Sequence, residues 1–100
     1  MTARRQIDPA ALLVRAVAQY ARGQSHAFRL GEISARPWAS ATFEGERVEI
    51  ELNGVEPGAV WLADLPDAEL KVRRHYVADL VVHAIGPSAV RIEALLLLDL

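Results

Sequence analysis

Three polar side chains recur at intervals of four residues near the C-terminal end of the sequence: His75, Asp79 and His83. Imidazole nitrogens and carboxylate oxygens are ligands that zinc accepts, provided that they converge on one point. On a helix, side chains four residues apart lie about 5–6 Å from each other, which suits a shared metal ion. On a strand that rises about 3.3 Å per residue they lie roughly 13 Å apart, so one ion cannot bind two of them. The chemistry of this trio therefore depends on the conformation of the surrounding segment.

That segment, residues 67–85, is compatible with both conformations. Acidic residues at its start and a Gly-Pro pair after its end are typical of a helix. Its valines favour a strand, and so does 90–98, which alternates in polarity and could pair with it. We therefore predict two strands joined by Gly86-Pro87-Ser88 at the centre of a sheet, and no metal site. As a strand that begins at Tyr76, the first segment would have one wholly apolar face: Tyr76, Ala78, Leu80, Val82 and Ala84.

Glu49 and Glu51 are a second pair that could do chemistry, because they project from the same side of a clearly alternating strand, Arg47–Asn53. Their separation of roughly 7 Å falls within the range for the two carboxylates of an inverting glycosidase. The same pattern is also the ordinary water-facing side of an amphipathic strand. The sequence contains neither a Gly-x-Ser-x-Gly motif nor a glycine-rich phosphate loop. We assign no catalytic residue and do not expect an enzyme.

Composition narrows the functional classes further. The sequence has no cysteine, which excludes disulfides, thiolate metal sites, iron–sulfur clusters and a cysteine nucleophile, and we expect no cofactor. The net charge of −2 conceals an asymmetry, since residues 1–36 carry six arginines against two acids and residues 37–71 carry eight acids against two bases. Opposite charges in the two halves can attract within one chain or between two chains. A nucleic-acid partner is not expected, because such proteins usually have an overall basic surplus.

No membrane partner is expected either. Even the longest unbroken apolar runs, such as Ala94–Leu98, are far shorter than the roughly 20 residues that cross a bilayer. The basic start of the chain is followed at once by Asp8-Pro9, so no signal peptide is predicted. Ten arginines against one lysine, together with 17 alanines, indicate a GC-rich bacterial genome. We expect a bacterial, cytoplasmic protein.

The elements that must position these side chains begin with a helix. Asp8 is a suitable N-cap, Pro9 suits the first helical position and Gly23 is predicted to end the helix in a left-handed conformation. Period-two segments at 27–34, with a bulge near Gly31, and at 38–43 then predict two strands, and 59–63 predicts a further short one. The expected fold is α+β: an N-terminal helix packed on a five- to six-stranded, mainly antiparallel curved sheet. Residues 1–7 are expected to be a flexible basic N-terminus and 8–100 a single domain.

Two features predict that this domain associates with another protein. The polar residues of the helix form one narrow stripe, so its apolar arc is wider than one sheet can cover. The segment Leu95–Leu98 is apolar on both faces of its strand and also needs two covers. We therefore expect a non-catalytic self-associating or protein-interaction module, most simply a homodimer. The alternative is a small-molecule binding protein or simple enzyme with a pocket between sheet and helix. Residues for either the pocket or the interface are Tyr20, Trp38, Trp61, Tyr76 and His83.

Overall fold

The computed structural model describes residues 8–99 of the chain. The elements are α1 Pro9–Gly23, β1 Arg29–Ala39, β2 Glu44–Asn53, α2 Val60–Asp64, a 3₁₀ turn Leu65–Asp67, β3 His75–Gly86 and β4 Ala89–Leu98. The strands form one open antiparallel sheet in the order β1-β2-β4-β3, so β2 and β4 are central. The predicted α+β class is confirmed, but the predicted number of strands, five to six, is wrong, because this sheet has four. The predicted flexible segment 1–7 lies outside the described residues.

Helix α1 begins as its sequence predicts. Asp8 has extended backbone angles, and its Oδ1 accepts a hydrogen bond from the Ala10 N–H at 3.1 Å, while Pro9 occupies the first turn. The predicted C-terminal cap is wrong in detail, since Gly23 still belongs to the helix and Ser25, at φ +64°, is the left-handed residue. The helix packs on the sheet through a stripe with helical spacing: Ala10, Leu13, Ala16, Val17 and Ala21.

The first strand accounts for part of the error in the strand count. The segments 27–34 and 38–43 were expected as two strands, but Arg29–Ala39 is continuous and residues 40–43 form the turn to β2. Pro37 lies within β1 and is tolerated because β1 is an edge strand, where a missing N–H need not break a ladder. The predicted bulge is present, as a register shift between Leu30 and Ile33.

The predicted strand at 59–63 is wrong, because residues Val60–Asp64 form α2. Trp61, Leu62 and Leu65 are buried, and the spacing i, i+1, i+4 is that of a helix rather than of a strand. Trp61 is only 3% exposed. Its ring stacks with His26 and Phe28 at centroid distances of 5.8 and 6.5 Å. Helix α2 thereby ties the chain that follows α1 to the core.

The predicted pairing of β3 with β4 is confirmed. The predicted central position is wrong for β3, which is an edge strand, and the connecting turn has two residues rather than three, because Gly86 still pairs with Ala89. The predicted apolar face of β3 is wrong at its first position. A register shift between Val77 and Asp79 leaves Ala78 as an extra residue, so Tyr76 pairs with Leu97 and shares a face with Asp79. His75, before the bulge, lies on the other face.

The core lies on one side of the sheet, between the strands and the two helices. Alternate residues of β2 and β4 are buried there with α1 and α2, and within residues 8–99 no polar side chain is buried. Among the helices of that range, none has the length and apolar character to cross a membrane.

Candidate interaction surface

The sheet has two faces of different character, which we call the helix-side face and the outer face. The helix-side face carries the core residues of the central strands, such as Val48, Ile50 and Ile92. The residues between them point the other way and are half-buried, and neither α1 nor α2 packs on them. The outer face is therefore a four-stranded surface left uncovered by residues 8–99.

The register of the strands arranges the outer face in rows that run across the sheet from β1 to β3. The aromatic row is Trp38, Gly45, Leu97 and Tyr76. The arginine row, next to it, is Arg36, Arg47, Leu95 and Asp79. One end of the outer face is thus apolar and aromatic, and arginines border it.

The other end of the outer face is charged. The glutamate row is Ser34, Glu49, Glu93 and Val81, and the row beyond it, the Glu51 row, is Glu51, Arg91 and His83. A hollow of about 160 Å³ lies over this end beside β1 and is lined by Glu32, Ile33, Ser34, Glu49, Ile50, Glu51 and Arg91.

Within residues 8–99 these outer-face charges are largely unpaired. Among residues 8–99, the structure has one ion pair within 4.0 Å, between His83 Nε2 and Glu93 Oε2 at 3.4 Å. Glu51 and Arg91 are cross-strand neighbours, yet they do not form an ion pair at that distance. In a complex, charges of this kind contribute more to the orientation of the partner than to its affinity.

A third aromatic side chain lies near the aromatic row, beyond the ends of β1 and β2. Phe43, in the β1–β2 turn, and Tyr76 both line a hollow of about 330 Å³ at this end. Phe43 is 47% exposed and Tyr76 is 43% exposed. Large aromatic side chains that keep this much surface in water are enriched at the centres of protein–protein interfaces.

Leu97 is the buried member of the aromatic row. It is only 7% exposed, yet it does not belong to the core cluster on the helix side. Its register neighbours are Gly45 and Tyr76, and Trp38 lies beyond Gly45. Because glycine has no side chain, no side chain of β2 lies between Leu97 and Trp38 in this row.

The five residues predicted for a pocket or an interface lie on both faces of the sheet. Trp38, Tyr76 and His83 are on the outer face, whereas Tyr20 on α1 and Trp61 on α2 pack on the helix side. The sheet separates the two groups, so they cannot line one cavity. Three of the five are brought to a common surface, whereas Trp61 belongs to the core and Tyr20 packs against it.

The residues considered for metal or acid–base chemistry are not brought together. Asp79 and His83 share the outer face, but the bulge places His75 on the opposite one. No group of three metal-binding side chains is close enough to hold an ion within the described part of the chain. Glu49 and Glu51 lie half-buried beside a shallow hollow rather than in a cleft.

Several members of this surface were not singled out from the sequence. Phe43 falls in the segment 38–43, which its alternation predicts to be a strand, and Arg36 lies between the two predicted strands. The available signal was the apolar character of Leu95–Leu98 on both faces, which predicted a second cover for this strand. The cross-strand register was needed to show which side chains of β1 and β3 lie beside it.

Comparison of the chain with family models, with curated proteins and with solved structures found no match.

Proposed function

We propose that this chain is a non-catalytic protein-interaction module that binds through the outer face of its sheet. The observation that carries the proposal is the aromatic row: Trp38 and Tyr76 flank a buried leucine on a face that no helix of residues 8–99 covers. Covering this row removes apolar surface from water, which stabilises a complex by about 25 cal/mol per Å² of apolar area buried.

The proposed surface has the anatomy of an interface rather than that of an active site. Aromatic side chains are concentrated at one end, and charged side chains surround and extend it. Arginine and tyrosine are enriched where proteins meet, and polar groups at the rim set orientation. The charged groups of the outer face, by contrast, do not converge on a cleft.

Removal of both flanking rings tests this proposal. The double substitution Trp38→Ser and Tyr76→Ser should weaken any complex of the chain at least about 30-fold, since a hot-spot side chain contributes about 2 kcal/mol or more. The matched control is Val60→Ser on α2, because Val60 is 74% exposed and lies on the helix side. The complexes are compared by light scattering of the pure protein and by quantitative affinity capture.

Circular dichroism must show that the double variant is folded. Loss of complexes in the double variant, with retention in the Val60 variant, supports the outer face. Equal retention of the same complexes by both variants would show that binding uses another surface, and the proposal would be wrong.

A further inference from the structure

We infer that the outer face binds a second copy of this chain, in a dimer whose two-fold axis runs parallel to the strands between β2 and β4. This inference rests on the proposed interaction function and adds the identity and the orientation of the partner. Such an axis places β1 of one copy over β3 of the other, and β2 over β4. The pairs that meet can be derived from the register of the sheet.

The aromatic row is complementary to itself under this rotation. Trp38 lies on β1 and Tyr76 occupies the equivalent position on β3, so each copy would place its tryptophan over the tyrosine of the other. Gly45 and Leu97 are exchanged in the same way, so a leucine of one copy lies over a position of the other that has no side chain. Both contacts occur twice, as in every isologous interface.

Two charged positions are also complementary to themselves. Arg36 and Asp79 occupy the two ends of the arginine row, and the rotation places each over its opposite in the partner. Glu51 and Arg91 are the central neighbours of the Glu51 row, and the rotation places each of them over the other residue in the partner. Facing sheets lie about 10 Å apart, a gap that an arginine and an acid together can span. The dimer would therefore gain four ion pairs that residues 8–99 of a single chain do not form.

Two positions do not favour the arrangement, and the second makes it testable. Arg47 of one copy lies over Leu95 of the other, where the aliphatic stem of the arginine can pack while its charged head reaches water. The rotation places Glu49 of one copy over Glu93 of the other, which is a repulsive contact. Within its own chain Glu93 already lies 3.4 Å from the His83 ring, and a protonated ring would offset part of the repulsion. Replacing Glu49 by the neutral Gln should therefore strengthen the dimer rather than weaken it.

The other two-fold arrangement, with the axis across the strands, is less complementary. It would place the glutamate row over the arginine row, so that Glu49 meets Arg47, but it would also press Glu93 against Leu95 and Asp79 against Val81. Burying a carboxylate against an apolar side chain costs free energy, because no hydrogen bond or opposite charge replaces its lost hydration. In that arrangement Glu49→Gln would weaken the dimer, so this substitution separates the two axes.

The outer face is large enough for a stable dimer. Four strands about 4.8 Å apart and about ten residues long at 3.3 Å per residue cover roughly 600 Å² per copy, before side-chain relief is counted. The resulting total of about 1,200 Å² reaches the range of specific interfaces. The edges of the sheet are poorer sites, because β1 carries Pro37 and a bulge and β3 has two register shifts.

The decisive experiment uses two opposite charge reversals in the pure 100-residue chain. Arg36→Glu and Asp79→Arg should each weaken the homodimer at least about 100-fold, because each creates two like-charge contacts. The exposed residues Arg22 and Asp64, on the helix side, provide matched controls as Arg22→Glu and Asp64→Arg. These controls should retain the wild-type dissociation constant.

Mixing the two weakened variants tests the orientation directly. In a heterodimer of Arg36→Glu with Asp79→Arg, every reversed charge faces an opposite charge, so the equimolar mixture should regain the dimeric mass. Within one chain these two positions lie three strands apart, so intramolecular repair cannot explain the rescue. Sedimentation equilibrium gives the dissociation constants of the variants, the mixture and Glu49→Gln.

Two results would overturn the inference. If the wild-type chain forms dimers but the mixture stays monomeric, or if Glu49→Gln weakens the dimer, the orientation is wrong. If the pure wild-type chain is monomeric at every concentration, the partner is not a second copy. The proposed function would then still stand or fall by the Trp38/Tyr76 variant in affinity capture.

Discussion

Substitution of Gly45 by alanine should strongly destabilise the fold, because the central strands leave no room for a side chain there. A Cβ at this position would overlap the carbonyl oxygen of Leu96 and would lie 2.8 Å from its carbonyl carbon and 2.9 Å from the Leu97 Cα. All three atoms belong to the backbone of β4, so no rotamer change relieves the clash. The strands β2 and β4 must separate locally.

The loss in the free energy of unfolding can be estimated from this geometry. Overpacking of a well-filled site costs about 1–3 kcal/mol, and a ladder hydrogen bond stretched by the separation costs about 1 kcal/mol more. A total of about 3 kcal/mol lowers Tm by roughly 12–24 °C in a domain of this size. Urea and thermal unfolding followed by circular dichroism measure the change, at one protein concentration because dimer formation shifts apparent stability.

Two other glycines provide controls for this measurement. A Cβ at Gly58 or Gly23 would meet nothing within 4 Å. Gly58→Ala should stay within about 0.5 kcal/mol of the wild type. Gly23→Ala, at the end of α1, should gain up to about 1 kcal/mol from helix propensity. If Gly45→Ala were as stable as Gly58→Ala, the close approach of β2 and β4 at this position would be refuted.

Three further substitutions test the local structure, each by chemical denaturation. Trp61→Ala should lower the free energy of unfolding by about 3–5 kcal/mol, because it opens a cavity in the core. The control Val60→Ala, at the exposed neighbouring position, should change it little. Similar losses in both variants would contradict the burial of the tryptophan. Arg74→Gly should gain up to about 1 kcal/mol, because φ is +64° at this residue, and Arg73→Gly should show no such gain. Asp8→Ala should lose about 1 kcal/mol as the N-cap hydrogen bond disappears, and an unchanged stability would mean that this bond does not contribute.

The parts of the fold that could be predicted are those with local signals. Asp8-Pro9 signals the start of a helix, and the alternation in β2 and β4 identifies their buried faces. The segment 67–85 was ambiguous by itself, and its pairing with the alternating β4 decided it correctly. The helix at Val60–Asp64 was missed, because five residues are too few to separate period two from a helical period when both tryptophan and leucine are apolar.

The candidate surface depended on information that is not local. The face to which Tyr76 points is decided by one extra residue, Ala78, and a one-residue slip reverses every side chain before it. Nothing in the sequence around Pro37 indicates that β1 is an edge strand, so the alternation predicts two strands where the sheet has one, Arg29–Ala39. The double-sided apolar pattern of Leu95–Leu98 did indicate a second cover, but only the strand order brings Trp38 and Tyr76 to either side of Leu97.

Self-association through the outer face is tested most directly by the mass of the pure chain in solution as a function of concentration. Sedimentation equilibrium should show a particle of twice the 11.0 kDa chain mass at micromolar concentration. That mass should fall to one chain in Arg36→Glu and in Asp79→Arg and return in their equimolar mixture. A wild-type particle of 11.0 kDa at all concentrations, or a mixture that stays monomeric beside a dimeric wild type, would contradict the proposed dimer.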